Sequence, residues 1–123
     1  MKTFIALLTV PLAALAQTVL PTEFPADAQA ASPEALREHL AGRVFKAQPA
    51  SGPGWRLEYK SNGYVFLDTS TGYRDTGRWS VEGLQLCAQW ERAPSGCSET
   101  RLLGPLVYIK RSSNGEVVAL VPQ

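Results

Sequence analysis

Short segments in which apolar and polar residues alternate, separated by turn residues, constrain the fold of this chain most. From Arg43 onward such segments recur at intervals of about ten residues. In the clearest of them Trp55, Leu57 and Tyr59 fall on one face, with three charged residues on the other. A period of two is typical of half-buried β-strands, and several short strands at this spacing indicate an all-β fold.

The pattern predicts about eight strands, and every connection between them is too short for a parallel crossover. The predicted strands cover residues 44–48, 55–60, 64–68, 73–81, 84–90, 97–103, 106–111 and 116–121. An open antiparallel sheet of this size would leave two edges free to pair with other chains, whereas a closed one leaves none. We therefore predict a small up-and-down barrel of lipocalin-like architecture, with a two-layer sandwich of the same strands as the alternative.

One short helix is predicted ahead of the strands. Ser32 is a typical N-cap, Pro33 suits the first helical position, and Gly42 ends the segment, so we place the helix at 33–41. Leu36 and Leu40 lie one turn apart on the same face. This apolar stripe is enough to close one end of a barrel but too narrow to support a helical domain.

The chain opens with the pattern of a secretory signal peptide. Lys2 provides a positive start, an apolar run follows from Phe4, and Ala14-Leu15-Ala16 matches a cleavage site. We therefore predict a signal peptide over 1–16, a flexible leader over 17–31 and a single barrel domain over 32–123. The apolar run is shorter than the ~20 residues that a membrane-spanning helix needs, so we expect no stable membrane insertion after cleavage.

The two cysteines, Cys87 and Cys97, favour a periplasmic or secreted location, because disulfides persist in oxidising compartments. Alternation over 84–90 places Leu84 and every second residue after it inward, and Cys87 outward. A hairpin that pairs about Arg92 would set the two cysteines opposite each other. The sequence therefore predicts one cross-strand disulfide with a structural role.

The balance of charge argues against two kinds of partner. The chain has 12 Lys and Arg residues and 11 Asp and Glu residues, and removal of Lys2 with the signal makes the two numbers equal. Nucleic acids and anionic membrane surfaces attract clustered Lys and Arg side chains. We therefore expect neither a nucleic-acid partner nor binding to an anionic membrane surface.

No residue pattern in the sequence indicates catalysis. His39 is the only histidine, whereas metal sites usually need two or more His or Cys ligands at set spacing. Acids such as Asp68, Asp75 and Glu99 are scattered along the predicted strands, and no pair is singled out by spacing. We expect no catalytic residue, no metal and no cofactor, with a carboxylate-dependent hydrolase as the alternative.

Aromatic residues recur in most of the predicted strands and supply the candidate binding residues. Most of them must fill the core, since a barrel of this size has room for side chains and at most one small ligand. The candidates for a ligand pocket at the open mouth are Trp55, Tyr59, Trp79 and Trp90. The expected function is a non-enzymatic domain that binds a small ligand or a periplasmic protein, and a small envelope structural protein is a further alternative.

Three short motifs stand out along the domain. They are Leu40-Ala41-Gly42-Arg43 at the end of the helix, Gly77-Arg78-Trp79 within a strand, and the hairpin that carries both cysteines. Over about residues 33–121 they resemble a group of small exported proteins of Gram-negative bacteria with unknown function. The resemblance implies an exported β-domain and carries no activity, because the motifs are structural.

Overall fold

The computed structural model describes Thr3 and residues 19–123, which form a closed barrel of eight antiparallel strands preceded by one helix. The elements in chain order are α1 (Pro33–Leu40), β1 (Arg43–Ala47), β2 (Trp55–Tyr59), β3 (Tyr64–Thr69), β4 (Arg74–Glu82), β5 (Gln85–Trp90), β6 (Gly96–Leu103), β7 (Leu106–Lys110) and β8 (Val117–Pro122). The predicted barrel with one short helix is confirmed. The sandwich alternative is excluded, because β1 pairs with β8 and closes the sheet. The predicted signal peptide, apart from Thr3, lies outside the described residues.

Each strand begins and ends within one residue of its predicted position, because the turn residues set the boundaries. Gly63 and Gly72, for example, adopt φ values of 95° and 86° that other residues rarely adopt. The orientation predicted for Leu84 is wrong, since its side chain is 42% exposed. Leu84 occupies the second position of a two-residue turn between the paired residues Glu82 and Gln85, so it lies outside the alternation of β5.

Helix α1 closes one end of the barrel, as its apolar stripe predicted. The Ser32 side chain caps its first turn, and Leu36 and Leu40 are fully buried in the barrel core. On the polar side the Arg37 guanidinium donates to the Val81 carbonyl at 3.2 Å. With eight residues α1 is short, and no helix in the described part of the chain could cross a membrane.

The disulfide forms in the predicted register. Cys87 lies directly opposite Cys97 in the β5–β6 ladder, with the two Cα atoms 4.0 Å apart, and the sulfur atoms are bonded. The neighbouring residues Leu86 and Ala88 line the interior of the barrel, so the bridge lies on the outer side of the wall. It joins two strands that are already adjacent and leaves the interior unobstructed.

Part of the predicted leader, residues 19–31, makes specific contacts with the barrel. Strand β6 continues past the start of β5, which exposes backbone groups along its second half. Gln29 and Leu102 exchange two backbone hydrogen bonds there, at 2.8 and 2.7 Å. The Phe24 ring also packs against the Arg101 guanidinium, 4.8 Å from the ring centroid. These contacts fix the path of a segment whose composition predicts flexibility.

Candidate ligand-binding cavity

A cavity of about 440 Å³ enters the barrel from the end opposite α1, and its lining combines inward strand residues with residues of the connections at that end. The alternate connections β1–β2, β3–β4, β5–β6 and β7–β8 surround this end, which we call the mouth. Most of the strand residues that line the cavity are apolar, namely Trp55, Leu57, Tyr59, Leu67, Leu86, Ala88, Trp90 and Ile109. Ligand pockets in proteins range from roughly 300 to 1,000 Å³, so the cavity is large enough for one small molecule.

Three of the four aromatic residues predicted for a pocket line this cavity. Trp55 and Trp90 lie on strands next to the mouth, and Tyr59 lies deeper on β2. Trp79 is not part of the lining; its ring packs edge-on against Tyr59, with the centroids 5.6 Å apart. Its indole nitrogen donates to the Lys60 carbonyl at 2.9 Å, at the end of the barrel that α1 closes.

The lining also includes residues that were not selected from the sequence. Leu57, Leu67, Leu86 and Ile109 supply much of the apolar wall. Strand alternation places all four inward, but it gives no sign of which inward side chains leave space between them. The volume of the cavity depends on how side chains from opposite walls meet, and that information is not local in the sequence.

A buried carboxylate, Asp75, fixes the β5–β6 connection at the mouth. Asp75 is 5% exposed and accepts hydrogen bonds from the backbone N–H groups of Ala93 at 2.8 Å and Arg92 at 3.2 Å. Burial raises the pKa of Asp75, but the backbone hydrogen bonds and one from the Tyr73 hydroxyl outweigh it and hold the pKa below its ordinary value. The carboxylate therefore remains ionised and has a structural role.

A second buried carboxylate, Glu116, joins the β1–β2 and β7–β8 connections. It is 1% exposed and accepts hydrogen bonds from the Ala50 N–H and the Ser51 hydroxyl, both at 2.6 Å. Arg111 lies 3.4 Å away as its ion-pair partner. Burial raises the pKa of Glu116, but these hydrogen bonds and the charge of Arg111 outweigh it, so the pKa is lowered.

Two arginines complete the organisation of the mouth by packing over aromatic rings. The Arg92 guanidinium lies 4.6 Å from the centroid of Tyr73, and the Arg111 guanidinium lies 4.9 Å from that of Trp55. Each pair is linked to one of the buried carboxylates, Arg92 and Tyr73 to Asp75, and Arg111 to Glu116. The mouth is thus held by two similar networks, so the entrance to the cavity is formed before a ligand arrives.

The acids considered for a hydrolase do not converge on one site. Asp68 pairs with Arg74 at 2.9 Å and lies on the outer face of β3, whereas Asp75 lies on the inner face of β4. Glu99 is exposed on β6. Asp75 accepts hydrogen bonds from four donor groups, so its lone pairs are engaged within the protein.

One group of three potential metal ligands occurs among the described residues, namely Glu82, Cys87 and Cys97. Both sulfur atoms belong to the disulfide, and metal coordination by cysteine requires the thiolate. The single histidine, His39, lies away from this group, with one ring nitrogen 3.2 Å from the Gly104 carbonyl oxygen. Its contacts hold α1 against the β6–β7 turn.

Comparison with known proteins gives no relative from which a function could be transferred. No family model, no curated protein sequence and no solved structure matches the chain. The resemblance to small exported proteins therefore stays a prediction from the motifs.

Proposed function

We propose that this protein is an exported, non-enzymatic binding protein that holds one small apolar molecule inside its barrel. The observation that carries the proposal is the cavity of about 440 Å³, whose strand walls are mostly apolar and whose entrance is organised by the Asp75 and Glu116 networks. Transfer of apolar surface from water into such walls contributes roughly 25 cal/mol per Å². A rigid entrance reduces the ordering cost of binding.

Export is part of the proposal and is supported by two independent features. The first residues have the pattern of a signal peptide, and Cys87 and Cys97 form a disulfide. Disulfides are rare in reducing compartments and common in the periplasm and outside the cell. A periplasmic or secreted binding protein agrees with both features.

The proposal is tested with N-phenyl-1-naphthylamine, an uncharged apolar dye whose fluorescence increases in apolar surroundings. Ala88 lines the cavity and Gln89, its neighbour on β5, is exposed on the outer face. We expect the wild-type protein to bind the dye with 1:1 stoichiometry. The variant Ala88→Phe, which places a phenyl ring in the cavity, should weaken binding by at least about tenfold, because each 1.4 kcal/mol of lost contact is a factor of ten.

The matched control is Gln89→Phe, which adds the same side chain outside the barrel. It should bind the dye as the wild type does, and circular dichroism should show that both variants are folded. Equal binding by the wild type and Ala88→Phe would place the dye outside the cavity and contradict the proposal.

A further inference from the structure

One residue that lines the cavity carries a hydroxyl group for which the described part of the chain provides no hydrogen-bond partner. Tyr59 is 4% exposed and lines the cavity, yet its hydroxyl makes no hydrogen bond among the described residues. Every fully enclosed side-chain nitrogen or oxygen in the described part of the chain does have a partner. The Tyr59 hydroxyl is therefore not fully enclosed, and the cavity is open space that this residue lines.

The ring that carries this hydroxyl is held in place by packing. Phe45 and Trp79 both contact Tyr59 edge-on, with centroid distances of 5.9 and 5.6 Å. These contacts restrict the rotation of the ring and fix the position of its oxygen atom. Buried polar groups are nearly always paired, so an unpaired one on a residue that lines a cavity points to a partner that is not part of the chain.

The surroundings of Tyr59 determine what that partner can be. Burial among apolar side chains raises the pKa of Tyr59 well above its ordinary value, so the hydroxyl keeps its proton and can donate it. Arg111 is the only charged residue among the described residues of the lining, and Glu116 lies 3.4 Å from it as a counter-ion. A charged ligand group would lose its hydration at this depth without gaining an opposite charge.

We propose that Tyr59 is the recognition residue of the cavity, and that the ligand is an uncharged apolar molecule with an oxygen atom, such as that of a ketone or an ether, that accepts a hydrogen bond from the Tyr59 hydroxyl. This inference rests on the proposed function and adds a chemical class of ligand to it. It also gives Tyr59 a role distinct from that of Trp55 and Trp90, which supply apolar contact near the mouth.

The test compares two probes with the same carbon skeleton, 4-phenylcyclohexanone and phenylcyclohexane, by titration calorimetry. The proteins are the wild type, Tyr59→Phe, and the control Tyr108→Phe, which removes the same oxygen atom from the outer face of β7. The free ketone and the free hydrocarbon differ in hydration, but this difference is the same for every protein. It therefore cancels when the effect of a substitution on one probe is compared with its effect on the other. We expect Tyr59→Phe to weaken ketone binding by about tenfold, the loss of one hydrogen bond, and to leave hydrocarbon binding unchanged or tighter.

The outcomes separate this inference from the proposed function. If both probes bind the wild type and Tyr59→Phe affects them equally, the cavity binds apolar molecules but the role assigned to Tyr59 is wrong. If neither probe binds the wild type, both proposals are contradicted. Because the hydroxyl has no partner among residues 19–123, Tyr59→Phe should melt at or above the temperature of the wild type. That result would show that any loss of binding is not a loss of folding.

Discussion

Among single residues, Gly77 lies on β4 where strand β5 leaves no room for a side chain. A Cβ atom added there would lie 2.5 Å from the Gln89 carbonyl oxygen and 3.0 Å from a ring carbon of Trp90. Neither the backbone of β5 nor the packed indole can move away without disturbing the wall. The Gly77-Arg78-Trp79 motif therefore has a steric reason at its first position.

We predict that Gly77→Ala lowers the free energy of unfolding by about 2 kcal/mol, the usual cost of overpacking a tight site. Thermal denaturation measures this loss. The matched control is Gly52→Ala, since an added Cβ at Gly52 meets no atom within 4 Å and its φ is not positive. That variant should be neutral or slightly stabilising, because alanine restricts the unfolded chain. Equal melting temperatures for the wild type and Gly77→Ala would contradict the close approach.

The buried carboxylates show why single residues were harder to interpret from the sequence than strands. Asp75 falls on the inward face of a predicted strand, which was a signal that it must be paired. Its partners Arg92 and Ala93 are 17 and 18 positions away, and the partners of Glu116 on the β1–β2 connection are 65 and 66 positions away. A local sequence pattern does not show which residues so far apart in the chain come into contact. The hydrogen-bond partners of these acids could therefore not be predicted.

At the scale of secondary-structure elements, these two carboxylates connect the loops of the mouth and give the protein a defined response to acid. The pKa values of Asp75 and Glu116 are both lower in the folded protein than the ordinary values, which are about 3.9 and 4.3. A carboxyl group with a lowered folded pKa stabilises the fold fully above its unfolded pKa. That contribution is lost as the pH falls through the folded pKa.

We therefore predict a melting temperature that is nearly constant from pH 7 to about 5 and falls steeply below about pH 4. The variants Asp75→Asn and Glu116→Gln should each be less stable at pH 7, by about 2 kcal/mol for the loss of charged hydrogen bonds. They should also lose less stability between pH 7 and pH 3 than the wild type does. If the melting temperatures of all three proteins fell by the same amount between pH 7 and pH 3, other groups would control acid unfolding.

The β5–β6 hairpin should depend strongly on its disulfide. The bridge closes a loop with a sequence separation of 10, for which the chain-entropy model gives a stabilisation of roughly 3 kcal/mol. We predict that Cys87→Ser lowers the melting temperature by more than about 10 °C, at 4 to 8 °C per kcal/mol for a domain of this size. The double variant Cys87→Ser/Cys97→Ser should have the same melting temperature as the single variant Cys87→Ser. A melting temperature unchanged by either variant would contradict the stabilising role.

The contacts of the leader with the barrel could not be predicted from its composition. Residues 19–31 have no periodic pattern, and composition alone predicts a flexible segment. Their order comes from backbone groups: Gln29 pairs with Leu102, and the Pro21 carbonyl accepts from the Val117 N–H at 2.7 Å. Such pairing depends on where the strand edges of the barrel end, which no property of the leader itself determines.

At the scale of the whole molecule, the architecture could be predicted because each of its determinants is local. Turn residues set the strand boundaries, alternation set the faces, and short connections required antiparallel neighbours. The sequence predicts where a cavity would lie, at the mouth, but not which inward side chains line it. Whether inward side chains such as Leu57 and Leu86 meet or leave space depends on packing across the barrel, and the same reason explains why Trp79 was expected in the pocket but lies outside it.

The proposal that a small apolar molecule binds inside the barrel is tested by the position of a bound probe. We would record intermolecular nuclear Overhauser effects between N-phenyl-1-naphthylamine and the methyl groups of the wild-type protein. The claim predicts contacts to Leu57, Leu86 and Ile109, which line the cavity. Contacts confined to outward methyl groups such as those of Val121, which is 44% exposed, would contradict it.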